Sequence, residues 1–263
     1  YPRLPTFGRK NKSQRKNSYT HMKFEIKQSD FLILLEDTWP AEKVIHFDNW
    51  KIRISDGAGK RASAISLEGV WKEASFIKLK DLLKKLGKSE IFMVYQSNSL
   101  FDKKLNELNY QIFDRSCIFE IAVAELIKSE PPPIKMFSIW PALHVQKELW
   151  NSYGIGWQRQ AVMDRAPNLK TSILGRSGDN PVASAFIAKS GDVAFLHALV
   201  VDRNSRRQGV ARALMKHAGQ WANKHNCVKL MVVTTETNAA ATSLYSSLEF
   251  QLVNKYHYRI PKA

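Results

Sequence analysis

One continuous segment, residues 199–214, constrains this chain more than any other part of the sequence. It begins with apolar residues typical of a buried strand, passes through a basic turn that contains Gly209, and ends with the periodicity of a helix. The first amides of a helix have no intrahelical acceptor and lie at the positive end of its dipole. Because Gly209 has no Cβ and Ala211 only a small side chain, an anion can approach these amides closely. The segment therefore predicts a phosphate-binding turn between a strand and a helix.

The turn and the helix after it both support this prediction. Arg206 and Arg207 add guanidinium groups whose paired donors suit phosphate oxygens. The helix carries apolar residues at spacings of three and four, which places them on one face: Val210, Leu214, Ala218 and Trp221. The sequence thus predicts a helix that packs on a core and presents its N-terminus to the anion.

A second pattern follows a predicted strand over residues 228–235. Its members share one helical stretch and its end: Asn238, Ala241, Tyr245 and Phe250. Together with Arg206-x-x-Gly209-x-Ala211, this pattern resembles the two acyl-coenzyme A signatures of the GNAT superfamily of N-acetyltransferases. The signatures come in the family's order, with one helix and one strand between them. The resemblance covers the chain from about residue 170 to its end.

The resemblance implies that acetyl-coenzyme A is the cofactor and that the turn binds its pyrophosphate. The turn residues concerned are Arg206, Arg207, Gln208, Gly209, Val210, Ala211 and Arg212. By the same resemblance, backbone groups of Leu199, Val200 and Val201 line the pantetheine arm. Asn238 and Ala241 are then expected where two central strands diverge. The sequence departs from the family pattern at Glu249, where a glycine usually ends the helix, and this departure concerns local geometry rather than chemistry.

Acetyl transfer to an amine requires removal of a proton from the amine and a proton for the departing thiolate. The resemblance makes Tyr245 the general acid, because the matching tyrosine points its hydroxyl at the coenzyme A sulfur. His197 is the predicted general base, since residues 195–201 resemble a histidine-bearing strand of arylalkylamine N-acetyltransferases, with Phe195 in place of the first histidine. Glu236, after the next strand, is the second candidate. The alternatives are a packed tyrosine, a hydrogen-bonded core histidine, and a solvated or helix-capping carboxylate.

The chain also contains an internal repeat. Aligning it with itself so that Gly209 falls on Gly69 places Asn238 on Asn98. The first copy lacks the residues that would serve the cofactor: Ser66 stands for Arg206, Trp71 for Ala211 and Leu105 for Tyr245. Short segments at residues 39–41, 49–53 and 59–61 resemble bacterial tandem acetyltransferases with a degenerate N-terminal half.

The predicted fold is of the α/β class with mixed sheets (α+β): two GNAT-like domains, each a mostly antiparallel sheet with flanking helices and a splayed strand pair at the cofactor site. The predicted segments are a basic disordered extension (1–21), a degenerate domain (22–128), a proline-rich linker (129–135) and a catalytic domain (136–263). In the last segment we expect a strand at 136–140, helices at 141–151 and 158–165, a hairpin at 172–176 and 181–189, and a central strand at 192–201.

Composition and charge limit the other classes of function. The net charge of +16 favours polyanionic partners, but six of these charges lie in residues 1–20, where there is no acid. No apolar run approaches the roughly 20 residues that span a bilayer, and no cluster of His, Cys, Asp or Glu has metal-ligand spacing. The two cysteines, Cys117 and Cys227, favour a reducing, cytoplasmic setting.

We therefore predict an acetyl-coenzyme A-dependent N-acetyltransferase that acts by direct transfer in a ternary complex. The acceptor is expected to be the primary amine of a small molecule or a peptide, and the protein a monomer or homodimer without a membrane partner. The alternatives from other classes are a non-catalytic acyl-coenzyme A sensor and, less favoured, a basic nucleic-acid-binding module.

Overall fold

The structure is a computed structural model that describes residues 27–167 and 169–262. The predicted extension at 1–21 lies outside these residues. The helices are α1 (Gln28–Thr38), α2 (Glu73–Lys85), α3 (Ser99–Glu107), α4 (Val123–Ile127), α5 (His144–Ser152), α6 (Trp157–Arg165), α7 (Val210–Lys224) and α8 (Ala239–Ser247). The strands are β1 (Lys43–Phe47), β2 (Trp50–Ile54), β3 (Ile65–Leu67), β4 (Phe92–Tyr95), β5 (Tyr110–Ala122), β6 (Lys135–Ile139), β7 (Lys170–Ser177), β8 (Asn180–Ser190), β9 (Val193–Val201), β10 (Lys229–Thr235) and β11 (Gln251–Pro261).

Within the described residues, eleven strands form one mixed sheet in the order β1-β2-β3-β4-β11-β5-β10-β9-β8-β7-β6. The last strand of the chain, β11, lies between β4 and β5, and β5 in turn lies between β11 and β10. Each half of the chain thus places one strand inside the other half. The predicted mixed α/β architecture is confirmed. The segments 22–128 and 136–263 share this one sheet, and their division into two domains stays a prediction.

Helices cover both faces of the sheet. On one face, α1, α5 and α6 enclose a core that joins Phe31 of the first half to Phe195 and Tyr256 of the second. On the other face, α4, α7 and α8 cover one end of the sheet, and α2 and α3 cover the other. The alternation of side chains along β4 and β5 produces these two layers. Neither half has a core entirely of its own on the first face.

Helix α7 follows the predicted pattern, because all four residues of the predicted apolar face are buried. Helix α5 begins at His144 rather than at residue 141. Its N-cap is Leu143, whose backbone amide donates to Gln146 Oε1 at 3.0 Å. That bond satisfies an amide before the first turn and sets where the helix starts.

The internal repeat is visible in the order of elements, since α2, β4, α3 and β5 correspond to α7, β10, α8 and β11. Asn98 caps α3 by accepting from the Phe101 amide at 3.3 Å, as Asn238 caps α8. Helix α2, however, begins only at Glu73, and the Trp71 indole donates to that carboxylate at 3.2 Å. A bulky ring and an acid therefore lie where the second copy has its small residue and free amides.

Candidate active site

An opening lies between β9 and β10. These parallel strands pair from Val193 with Lys229 to Leu196 with Val232, and the pairing ends there. Beyond this point, a β-bulge in β9 at Ala198, with φ +53°, shifts the register against β8. The Trp150 indole donates to the Ala198 carbonyl at 2.9 Å and holds the bulge. The C-terminal part of β9 therefore offers backbone groups to the opening rather than to β10.

The predicted phosphate turn lies at the end of β9. Asp202 caps a short 3₁₀ turn by accepting from the Asn204 amide at 2.9 Å. Gly209 then adopts φ +81°, a left-handed conformation that suits glycine, and α7 begins at Val210. No side chain caps this helix, so its first amides keep their donors available. A Cβ at Gly209 would lie 3.6 Å from Pro132 Cγ, so the proline-rich segment runs beside the turn.

Two side chains that the sequence predicts to bind phosphate instead form contacts within the protein. Arg206 Nε donates to the Val201 carbonyl at 3.2 Å, and its guanidinium lies over the Tyr153 ring at 5.5 Å. Gln208 Nε2 donates to the Asn204 carbonyl at 2.9 Å. The turn thus presents mainly backbone amides.

The other two arginines of the turn, Arg212 and Arg207, have different surroundings. Arg212 Nη2 donates to Ser247 Oγ at 3.0 Å, which ties α7 to α8. Arg207 is exposed beside Gly209 and adopts φ +63°. Of the predicted cations of the turn, Arg207 is the one whose position is most open to a bound anion.

Helix α8 carries the predicted acid. Its first turn is fixed by Asn238, whose Oδ1 accepts from the Ala241 amide at 3.2 Å. Tyr245 is buried between the rings of Phe119 and Phe250, each 5.6 Å away between centroids. Burial raises the pKa of Tyr245 to about 12, against the opposing effect of a nearby arginine charge. The phenol is therefore protonated, and able to donate, at neutral pH.

The end of α8 explains how the chain tolerates its departure from the family pattern. Glu249 adopts φ +63°, the left-handed conformation that glycine usually supplies at this position. The helix ends as expected, and the amide of Phe250 donates to the Tyr245 carbonyl at 3.0 Å. The loss of the glycine leaves the local geometry in place.

His197 lies at the first position of β9 beyond the strand pairing, and the structure gives it two partners. Thr38 Oγ1 donates to the Leu34 carbonyl at 2.6 Å, so this hydroxyl accepts from His197 Nε2 at 3.0 Å. The other nitrogen, Nδ1, then accepts from Arg61 Nη1 at 3.2 Å. Both nitrogens of a neutral ring are engaged, as in the core-histidine alternative. His197 could take a proton from an amine only if Arg61 moved away.

The pKa of His197 lies well below 6.5, because the ring is desolvated and the Arg61 charge disfavours a second cation. Below pH 6.5 the unfolded chain binds a proton at this residue that the folded chain does not. As the pH decreases below 6.5, we therefore expect this group to lower the free energy of unfolding by about 1.4 kcal/mol per pH unit. His197→Gln should remove the contribution of one proton from the dependence of the free energy of unfolding on pH. Denaturant titrations between pH 7 and 5 measure this slope. The same slope in His197→Gln as in the wild-type protein would contradict the assignment.

Glu236 follows β10, at the edge of a separate cavity. Its Oε1 lies 2.6 Å from Lys255 Nζ, and this hydrogen bond lowers the pKa of the carboxyl. The cavity has a volume of about 560 Å³ and also contains Arg115, His257 and Arg259. Its lining comes from helix α3 and from strands far apart in the sequence, so no local pattern indicates it. Glu236 is held as an ionised, paired carboxylate.

The first half of the chain contributes residues that sequence reasoning missed. Arg61, Thr38 and Trp39 all contact His197, and the Trp39 and His197 rings lie 4.9 Å apart. The only sequence signal was that residues 39–41 and 59–61 resemble tandem acetyltransferases, which assigns no role to single residues. The opening between β9 and β10 is thus built by both halves.

The described residues include no group of three or more His, Cys, Asp or Glu placed to hold a metal ion. Among them there is also no helix with the length and apolar character needed to cross a bilayer.

Comparison with known proteins agrees with this geometry. Residues 135–250 match the family model described as the acetyltransferase (GNAT) family. The matched region contains the opening, the phosphate turn and Tyr245. This region of the chain is similar to the GNAT family of acetyltransferases.

Individual proteins also resemble the chain, in part of its sequence or in its fold. Over 61 residues the chain is 43% identical to an aminoglycoside N(6')-acetyltransferase type 1 of Klebsiella aerogenes, a match that spans 23% of this chain and 40% of that protein. A GCN5-related N-acetyltransferase from Kribbella flavida shares the fold at 16% identity, with a TM-score of 0.69 over 88% of this chain and 93% of the other. A tandem GNAT protein from the clavulanic acid biosynthesis pathway does so at 11% identity, with a TM-score of 0.59 over 74% of each chain.

Proposed function

We propose that this chain is an acetyl-coenzyme A-dependent N-acetyltransferase that acts on a small-molecule primary amine. One observation carries the proposal: a strand opening, an uncapped helix N-terminus at Gly209 and the buried Tyr245 follow one another within the family-matched region. An elongated thioester fits these features, with its phosphate end at Gly209 and its sulfur end at Tyr245. The partial match to an aminoglycoside acetyltransferase supports a small-molecule acceptor.

The residues present fit the proposed cosubstrate. The amides from Gly209 to Arg212, with Arg207 beside them, would bind the pyrophosphate. Backbone groups of β9 from Leu199 to Val201 would contact the pantetheine arm, because that part of the strand has no β10 partner. Acetyl-coenzyme A supplies the activated acetyl group as a thioester. The chain's own contribution is to bind it, to orient it and to move protons.

The chemistry favours direct transfer. The amine nitrogen forms a bond to the carbonyl carbon, the carbon–sulfur bond breaks, and sulfur leaves with the electron pair as a thiolate. Tyr245 donates a proton to that sulfur, the amine gives its proton to water, and the phenolate of Tyr245 recovers a proton from water. The described cysteines, Cys117 and Cys227, are poor carriers of an acetyl group, because burial raises the pKa of each thiol. The base roles of His197 and Glu236 stay predictions.

Thiol release tests the proposal. The purified protein should bind acetyl-coenzyme A and release free thiol with at least one member of a panel of aminoglycosides, polyamines, amino acids and small aryl amines. Binding without turnover across the panel would support the sensor alternative and overturn the enzyme. Binding of duplex DNA with a steep salt dependence, in place of coenzyme A, would support the nucleic-acid alternative.

Gly209→Ala should weaken coenzyme A binding by about tenfold or more, equivalent to about 1.4 kcal/mol. The added Cβ is strained at φ +81°, and it would stand where the bound pyrophosphate approaches the amides. Gly191→Ala is the matched control, since that glycine also has a positive φ and open space around it but lies outside the turn. Isothermal titration with coenzyme A measures the difference. Equal affinities for the two variants would remove Gly209 from the binding site.

A further inference from the structure

The first half of the chain supplies a cation to the opening between β9 and β10. Arg61 lies in a 3₁₀ turn, Lys60–Ala62, that follows β2. Its Nη1 is 3.2 Å from Nδ1 of His197, the first β9 residue beyond the strand pairing. Its guanidinium also lies beside the Tyr256 hydroxyl, and its charge opposes the rise in the pKa of Tyr245. The guanidinium therefore lies where the pairing of β9 with β10 ends, close enough for its charge to act on the proposed acid.

The partners of Arg61 are neutral, unlike those of its neighbours. Arg53 pairs with Glu36 at 2.9 Å and Lys60 pairs with Asp114 at 2.5 Å. Within the described residues, the hydrogen-bond partners of Arg61 are a neutral imidazole and a tyrosine hydroxyl. A guanidinium keeps its charge in such surroundings and is stabilised by an anion that reaches it.

We propose that Arg61 is a catalytic residue of the acetyl transfer proposed above, and that it contacts the coenzyme A sulfur and stabilises the thiolate as the carbon–sulfur bond breaks. The proposal rests on the proposed function. Sulfur takes the electron pair of the broken bond, and the amine nitrogen takes the acetyl group and gives its proton to water. The sulfur finally takes a proton from Tyr245, which water restores. A fixed cation here favours the thiolate and also the phenolate that Tyr245 becomes when it gives up its proton. The role of the degenerate half is then chemical as well as structural.

The test needs no knowledge of the acceptor. Coenzyme A is bound to the full chain and its thiol is titrated by the ultraviolet absorbance of the thiolate, after subtraction of the desulfo-coenzyme A complex. In the wild-type protein the bound thiol should have a pKa at least about one unit below the roughly 8.5 of a free thiol. Arg61→Gln should abolish that shift, Arg61→Lys should keep part of it, and Lys60→Gln should keep all of it. Affinity for desulfo-coenzyme A should be the same in all four proteins.

The outcomes separate this inference from the proposed function. An unshifted thiol in the wild type, or the same shift in Arg61→Gln as in the wild type, overturns the role of Arg61 even if amines are acetylated. A shift that Arg61→Gln abolishes supports it even if no amine in the panel is acetylated, in which case only the proposed activity fails. An equal loss of coenzyme A and desulfo-coenzyme A binding in Arg61→Gln would show that Arg61 only holds the two halves together.

Discussion

Residues 136–263, expressed alone, are expected to lack a cooperative unfolding transition and to bind no coenzyme A. In the full chain, β10 pairs with β5 along its whole length, and β11 lies between β4 and β5. All three contacts are lost when the first half is removed, and two strands are left with exposed edges. Removal of α1 also uncovers Phe195 and Tyr256, which pack on Phe31. Circular dichroism during thermal unfolding, together with calorimetric titration, measures both expectations.

Two controls test whether the loss comes from strand exchange, the arrangement in which β5 and β11 each lie inside the other half of the sheet. Co-expression of residues 27–128 with residues 136–263 should restore the fold, because the missing edges are returned in trans. A full chain cleaved within 129–135 after folding should remain associated and keep its binding. A cooperative transition by residues 136–263 alone would show instead that the second half tolerates the loss of β5.

The parts of the site that the sequence predicted are those built by neighbouring residues. The strand, the glycine turn and α7 are encoded within one segment, and each shows its own signal: apolar continuity, a residue suited to positive φ and helical periodicity. Asn238 is likewise recognisable, because a cap and its helix are adjacent in the chain. Such signals depend on no distant partner.

The partners of His197 could not be predicted in this way. Thr38 and Arg61 are distant in sequence and reach the ring only because α1 and the turn after β2 lie over the second half of the sheet. The apolar pattern of β9 indicates that the histidine is buried, but it does not indicate which group hydrogen-bonds to each ring nitrogen. The predicted base therefore depended on information that a local pattern does not contain.

Strand exchange could not be predicted for the same reason, because it depends on contacts between residues distant in sequence. The sequence of β11 alternates in a way that suits a strand with helices on one side and aromatic packing on the other, but alternation does not specify a neighbour. Two similar halves offer two equivalent places for each final strand, one in its own half and one in the other. The structure uses the second, and this brings Tyr256 of β11 beside Arg61.

Tyr245→Phe should lower kcat by about a hundredfold, the usual size of a general-acid contribution, and leave coenzyme A affinity unchanged. The raised pKa of about 12 keeps the phenol protonated at lower pH, so Tyr245 should cause no loss of kcat between pH 8 and 10. A tyrosine with so high a pKa is a weak acid toward a thiolate, and Arg61 opposes that rise. The two residues should therefore act together, and removal of the second should cost less once the first is gone.

Tyr153→Phe is the matched control for this variant. The Tyr153 hydroxyl accepts from the Arg203 amide at 2.7 Å, and its ring lies under Arg206, so it supports the phosphate turn instead of the sulfur end. This variant should weaken coenzyme A binding and keep kcat at saturation, the reverse of Tyr245→Phe. Steady-state kinetics with calorimetric titration distinguish the two. If Tyr245→Phe lost affinity and kept kcat, the hydroxyl would serve packing in α8, and the proton for the thiolate would have to come from water.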